Sequence, residues 1–172
     1  MRLGRVALSQ GALLDASGNG GGTVRIRSGH LIVDQAAIFA DNHGALITTD
    51  SLGAGRAREL RLTAGNVHID DSFIDSRPVS SGDGGKVTVD VGRLTLTGGA
   101  RISTNSQGEG RGGALTVMAT DTISIAGTDS EGTPSGLFSL ATNRCFSVSY
   151  KLINTIALTG LVVMSMHFLQ AG

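Results

Sequence analysis

Apolar and polar residues alternate in short bursts along the middle of the chain. Four segments share one pattern: Val24-Arg25-Ile26-Arg27, Leu60-Arg61-Leu62-Thr63, Val87-Thr88-Val89-Asp90 and Leu115-Thr116-Val117-Met118. In each, positions one and three are apolar and position two is polar. A period of two marks a strand with one buried face. A second alternating segment follows each: Leu31-Ile32-Val33, Val67-His68-Ile69, Leu94-Thr95-Leu96 and Ile123-Ser124-Ile125. Gly29, Gly65 and Gly92 stand two residues ahead of the first three, where a corner favours a residue that takes positive φ at no steric cost. A third apolar point comes at Ile38, Ile74 and Ile102, with Phe138 as its expected fourth member. Leu13-Leu14 reads as the third strand of an earlier, incomplete unit.

Three short strands joined by corners cannot bury their apolar faces alone. Stacking similar units solves this, each strand pairing in parallel with its counterpart about 4.8 Å away. Val24, Leu60, Val87 and Leu115 then form one inward column, and Ile26, Leu62, Val89 and Val117 the next. Leu31, Val67, Leu94 and Ile123 form a third. The prediction is an all-β fold, a parallel β-helix of about four full coils over residues 1–143. The longer gaps, Asp41–Arg58 and Gly127–Ser135, are rich in small polar residues and read as insertions at corners. An antiparallel sandwich also uses short alternating strands, but lacks the recurring order of strand, glycine, strand and third apolar point.

After Asn143 the pattern stops. Leu152–Gly172 holds no Asp, Glu, Lys or Arg. Three readings fit residues 144–172: a weak transmembrane or interfacial helix diluted by Asn154, Thr155, Thr159, Ser165, His167 and Gln170; a cap on the open end of the stack; or sequence joined by a shifted reading frame. The first residues carry Arg2 and Arg5 but no apolar run behind them, so no signal peptide is read there. The pattern begins mid-repeat, and a fragment of a larger protein is the expectation.

Composition sharpens the picture. The chain has 172 residues, of which 26 are Gly, 2 are Pro and none is Trp, and it has no Gly-X-Y period. Fourteen Lys and Arg balance fourteen Asp and Glu, which argues against nucleic acid as a main partner. Aromatics make up 3%, few for a large ligand-lined pocket. A single cysteine, Cys145, can neither close an intrachain disulfide nor supply a cysteine zinc site, and no base is placed near it.

The stretch Gly18-Asn19-Gly20-Gly21-Gly22-Thr23-Val24-Arg25-Ile26 resembles the Gly-rich lead-in to each coil of filamentous haemagglutinin-type exoproteins. Gly82-Asp83-Gly84-Gly85-Lys86-Val87-Thr88-Val89 does too. Leu94-Thr95-Leu96-Thr97-Gly98-Gly99-Ala100-Arg101-Ile102-Ser103-Thr104 is similar to the family's strand, Gly turn and following coil. Gly112-Gly113-Ala114-Leu115-Thr116-Val117, with Ile123-Ser124-Ile125 and Pro134-Ser135-Gly136-Leu137-Phe138, is written in the same style. The likeness covers roughly Val6 to Asn143. It implies a large passenger of two-partner secretion, exported through a dedicated outer-membrane transporter. It further implies a long right-handed β-helix and a role in adhesion, aggregation or haem acquisition at the cell surface or outside the cell. The family's N-terminal secretion domain has no counterpart in this sequence, and the segment after Asn143 departs from the pattern.

Candidate chemistry is sparse. Asp70, Asp71 and Asp75 cluster near one corner, and Asp34 and Asp70 hold equivalent places about 5 Å apart, with Thr97 next in line. Paired carboxylates bind Ca²⁺ or raise one pKa for acid catalysis, as a polysaccharide-acting β-helix enzyme would require. The plainer reading leaves both in water. Gly82-Asp83-Gly84-Gly85 has the composition of a calcium nonapeptide but not its order. His68 faces outward beside Ile32, Thr95 and Ser124, His30 sits at a corner, and His43 and His167 are scattered, so no metal or haem ligand spacing emerges. Arg25 and Arg61 stack outward, with Arg27, Arg56 and Arg58 near, and such a patch either attracts an acidic glycan or is a solvated face. Gly18–Gly22 precedes a strand rather than following one, which excludes a dinucleotide or phosphate loop. No Gly-x-Ser-x-Gly elbow is present. No residue is therefore singled out as catalytic, cofactor-binding or metal-ligating. The expectation is a non-enzymatic adhesive stalk that displays loops to a host glycan, a surface protein or another cell. The alternatives are the polysaccharide enzyme and a non-functional remnant of a larger gene.

Overall fold

The computed structural model describes residues 3–16, 22–34, 37–39, 59–76, 85–106, 113–141, 147–152 and 155–158, with the backbone alone at 37–39, 105–106, 140–141 and from 147 on. All regular structure among them is β, with no helix. The strands are β1 (Arg5–Ser9), β2 (Leu13–Asp15), β3 (Val24–Asp34), β4 (Ala37–Phe39), β5 (Glu59–Asp70), β6 (Phe73–Asp75), β7 (Lys86–Thr97), β8 (Arg101–Ser106), β9 (Ala114–Ile125), β10 (Gly136–Ala141), β11 (Ser147–Leu152) and β12 (Thr155–Leu158). They form two sheets, and every pairing within them is parallel. The first sheet has the order β1-β3-β5-β7-β9-β11, with β12 also on β9. The second has the order β10-β8-β6-β4-β2. From β1 to β11 the chain thus visits the two sheets in turn, returning one strand further along each time.

The register is the one that the alternation predicts. Val24, Leu60, Val87 and Leu115 are successive partners, as are Ile26, Leu62, Val89 and Val117. Val6, Leu31, Val67, Leu94 and Ile123 form the third column, and Leu8, Val33, Ile69, Leu96 and Ile125 a fourth. In the second sheet Leu14, Ile38, Ile74 and Ile102 follow one another. These columns meet in one core, and Leu60, Leu62, Val87, Val89, Leu94 and Leu96 are wholly buried within it.

Several expectations are corrected. The first and second segments of each unit are not separate strands but one strand of 11 or 12 residues. The glycine marks a slip in its alternation: Leu60, Leu62 and Ala64 are buried, Gly65 and Asn66 are both exposed, and burial resumes at Val67 and Ile69. Nor does positive φ explain these glycines, since positive φ occurs at Gly11, Gly98, Gly99, Gly127 and Gly132 instead. Close approach does. A Cβ on Gly65 would stand 2.8 Å from the carbonyl oxygen of Gly29, and one on Gly92 would strike the carbonyl oxygen of Gly65. The fourth long strand has no such glycine; there Thr120 and Asp121 together face Gly92, and a bulge does the bending. Leu137, not Phe138, partners Ile102, and Phe138 falls opposite Ser103.

The start of the C-terminal segment is also different from its helical reading. Residues 147–152 and 155–158 are strands that extend the first sheet beyond β9. Ser147-Val148-Ser149-Tyr150-Lys151-Leu152 alternates with period two, and the edge of β9 offers unpaired backbone groups to it. Residues 159–172 lie outside the described residues. No helix among the described residues is long and apolar enough to cross a membrane.

Two substitutions test this packing. Gly92→Ala should destabilise by more than ~1 kcal/mol, against the usual gain of alanine over glycine in a strand, because its methyl group meets backbone that cannot rotate away. Ser28 lies in the column of Ala64, Val91 and Ala119, and its buried hydroxyl has no hydrogen-bond partner. Ser28→Ala should therefore stabilise by about 1 kcal/mol. Urea unfolding of the two variants beside the parent chain measures both, and the expected shifts have opposite signs.

Candidate functional site

The slip at the glycine corner decides what faces outward just beyond it. Arg5, His30, Asn66, Arg93 and Thr122 are successive partners along one outer column. The next outer column runs Ala7, Ile32, His68, Thr95 and Ser124. Between them lies a shallow concave strip of about 400 Å³, lined by Arg5, His30, Asn66, His68, Arg93 and Thr95 around the partly buried Ile32, with Leu31 and Val67, whose side chains are buried in the core, beneath. Asn66 Nδ2 is 3.2 Å from His30 Nδ1. With the amide donating to that nitrogen, the ring proton sits on Nε2. Arg93 reaches across to Asp121, Nη2 to Oδ2 2.5 Å, and both side chains are about half exposed. No carboxylate lines the strip among the described residues.

The arginine patch read from the sequence forms a second, smaller strip of about 330 Å³. Arg25 and Arg61 are in register there, with Arg27 and Thr63 beside them. Glu59 also lines it, and its Oε2 accepts a hydrogen bond from Arg25 Nη2 at 3.3 Å, so part of the expected positive charge is neutralised. Arg56 and Arg58 lie outside the described residues, as do His43, His167, Cys145, Gly18–Gly21 and Gly82–Gly84.

The aspartates near the β5–β6 corner do not converge. Asp34 and Asp70 are partners in register, as expected. However, Thr97 Oγ1 donates to Asp70 Oδ1 at 2.6 Å, so the third member of that column is a ligand to the carboxylate rather than a gap in it. Gly98, at φ 60°, leaves room for this: a Cβ there would lie 2.7 Å from the same oxygen. Asp71, at φ 42°, is exposed, and its amide donates to the carbonyl of Thr97. Asp75 is buried and accepts a hydrogen bond from Ser103 Oγ at 2.9 Å. The carboxylates of Asp70 and Asp75 thus serve two different contacts, while Asp71 is held through its backbone amide. No group of three or more His, Cys, Asp or Glu able to hold a metal ion occurs among the described residues.

The most organised polar cluster was not singled out from the sequence. Asp129 Oδ1 accepts the amides of Glu131 at 2.9 Å and Thr133 at 2.7 Å. Its Oδ2 accepts Arg101 Nη2 at 3.1 Å, and the Arg101 guanidinium lies 5.2 Å from the centre of the Phe73 ring. Thr128 and Pro134 form an antiparallel bridge, so the segment 127–135 is a closed turn rather than an open display loop. The Asp-Ser-Glu-Gly-Thr run was the available signal, since aspartate often bonds backbone a few residues ahead in a turn.

Comparison with protein-family models, curated proteins and solved structures finds no match for this chain.

The hydrogen bond from the Thr133 amide is the main cause that holds the Asp129 carboxyl below the ordinary aspartate range, with desolvation opposing it and the Thr133 hydroxyl, Glu131 amide and Arg101 adding to it. A pKa lowered on folding stabilises fully above the unfolded value and is lost as pH falls through the folded one. The amides of Glu131 and Thr133 should thus stay protected from hydrogen exchange near neutral pH and lose protection only below the usual aspartate pKa of about 3.9. In Asp129→Ala the protection should be gone at every pH. A loop that loosened between neutrality and pH 5 would contradict this.

Proposed function

We propose that this chain is a structural, adhesive segment of a secreted or surface-exposed bacterial exoprotein, folded as a right-handed parallel β-helix of about four coils. The observation that carries the reading is the shared register of the long strands: the same inward columns run in parallel from β1 to β9 while the chain alternates between two sheets. A chain that returns to its first sheet one strand further along, always in parallel, supports a coiled path, and crossovers between parallel strands are overwhelmingly right-handed. Such a stack is stiff along its axis because each coil pairs with the next through many backbone hydrogen bonds. It suits a stalk that holds a surface away from a cell. The resemblance of the Gly-rich lead-ins to filamentous haemagglutinin-type exoproteins supports export of the parent protein through an outer-membrane two-partner transporter. A host glycan or surface protein is the partner that such a stalk would meet. The balance of charges gives nucleic acid no preference.

A polysaccharide-cleaving enzyme would need carboxylates that face one another across a groove. Asp70, Asp71 and Asp75 diverge, and Thr97 occupies one oxygen of Asp70, so the stalk reading is the better supported.

Displayed on cells from an inert anchor, the full chain should raise attachment to host-cell or glycan-coated surfaces several-fold over the anchor alone. It should release no reducing ends from a panel of polysaccharides. Release of reducing ends would move the reading to the enzyme, and attachment no better than the anchor would remove adhesion.

A further inference from the structure

We infer that the concave strip across β1, β3, β5 and β7 is a binding site for the carboxylate or sulfate groups of an acidic polysaccharide, read by the sheet face rather than by loops. The argument begins with the inventory of the strip. Arg5, His30, Asn66 and Arg93 stand in one line on four adjacent strands. His68 and Thr95 stand on the parallel line beside them. Arginine, the asparagine amide, imidazole and the threonine hydroxyl all donate hydrogen bonds, and no acidic side chain lines the strip among the described residues. Arg5 and Arg93 are its fixed positive charges, and the exposed carboxylate of Asp121 stands at its margin, paired with Arg93.

Geometry narrows the ligand class. Adjacent strands are about 4.8 Å apart, so Arg5 and Arg93 bracket roughly 14 Å of the sheet, with His30 and Asn66 between them. A single small anion would engage only one end. An extended polymer that carries anionic groups at intervals would engage both. Guanidinium groups suit planar carboxylate and sulfate oxygens through paired donors. The Asn66–His30 contact uses His30 Nδ1 and leaves its other ring nitrogen, Nε2, outside that contact. The Arg93–Asp121 pair is solvent-exposed, so a polyanion can take over Arg93 without opening the fold. Single-stranded nucleic acid is disfavoured because no Phe, Tyr or Trp among the described residues lines the strip to stack a base. Of the apolar residues in the lining only the partly buried Ile32 turns to this face, since Leu31 and Val67 are buried in the core, so the polar side chains carry the recognition.

The inference goes beyond the stalk reading and does not need it, because a soluble chain tests it without cells or export. Titrate the full chain, labelled at its N-terminus, with polygalacturonate, with dextran sulfate and with neutral dextran, at low and at physiological salt. Binding to the first or the second, weakened by salt and absent with neutral dextran, supports the site and says which anionic group it prefers. The double variant Arg5→Gln/Arg93→Gln should weaken that binding at least tenfold with an unchanged circular dichroism spectrum. Arg25→Gln/Arg61→Gln, in the neighbouring strip, should weaken it less than threefold. The inference is overturned by equal binding of neutral dextran, by equal or tighter binding of a single-stranded oligonucleotide, or by loss of binding in the Arg25/Arg61 variant but not in the Arg5/Arg93 variant. Adhesion that failed on cells while this titration succeeded would sink the stalk and leave the site standing.

Discussion

Parallel pairing in register makes every inward residue stack on its own counterpart from the repeats before and after. This self-matching constraint governs the rest of the molecule. A column works only if its members are of similar size and none brings an unanswered polar group. Val, Leu and Ile satisfy it through β3, β5, β7 and β9. Polar residues enter the interior where a neighbour answers them: Ser103 bonds Asp75, and Thr104 bonds Ser139, which in turn bonds the carbonyl of Gly113. Ser28 and Thr88 are the exceptions, each with a buried hydroxyl that finds no partner. The same constraint explains the glycine column. Gly29, Gly65 and Gly92 sit where backbone of one repeat presses on backbone of the next, so a side chain has no place to go.

The outer face is released from that matching, and the polar chemistry gathers there. Because the alternation slips at each glycine, two successive residues can face outward, and the second of them is His30, Asn66 or Arg93. A bend required by backbone packing therefore also sets out a line of hydrogen-bond donors. At the other corners the polar groups are spent on structure. Thr97 holds Asp70, and Asp129 gathers two amides and Arg101. Arg101 in turn lies over Phe73 of the preceding repeat, so one side chain ties the turn at 127–135 to the second sheet across two strands. Such contacts stabilise a corner and leave it little freedom for chemistry.

The residues that were legible in the sequence are those whose partner is their own repeat. The columns of Val24, Ile26 and Leu31 followed from alternation alone, because a period of two fixes a face and recurrence fixes the register. Phe138 was misplaced since the neighbouring Leu137 is also apolar, and two adjacent apolar residues leave the phase open. The segment after Asn143 was judged by the lack of charge over Leu152–Gly172, which suits a membrane helix and a strand alike. Its period of two over residues 147–152 was the better guide. Asp70, Asp71 and Asp75 are close in sequence and read as a cluster, yet Thr97 takes the carboxylate of Asp70 and the backbone amide of Asp71, and Ser103 takes the carboxylate of Asp75.

The sequence alone therefore determined the all-β class, the parallel stacking and the identity of the inward columns, because each rests on local periodicity repeated along the chain. Tertiary structure decided what each corner does with its polar groups. Whether an aspartate is paired, buried or exposed depends on which backbone amide or hydroxyl of another repeat comes within about 3 Å of it. That distance is set by the bend at each corner, and the bend arises from packing one repeat on the next.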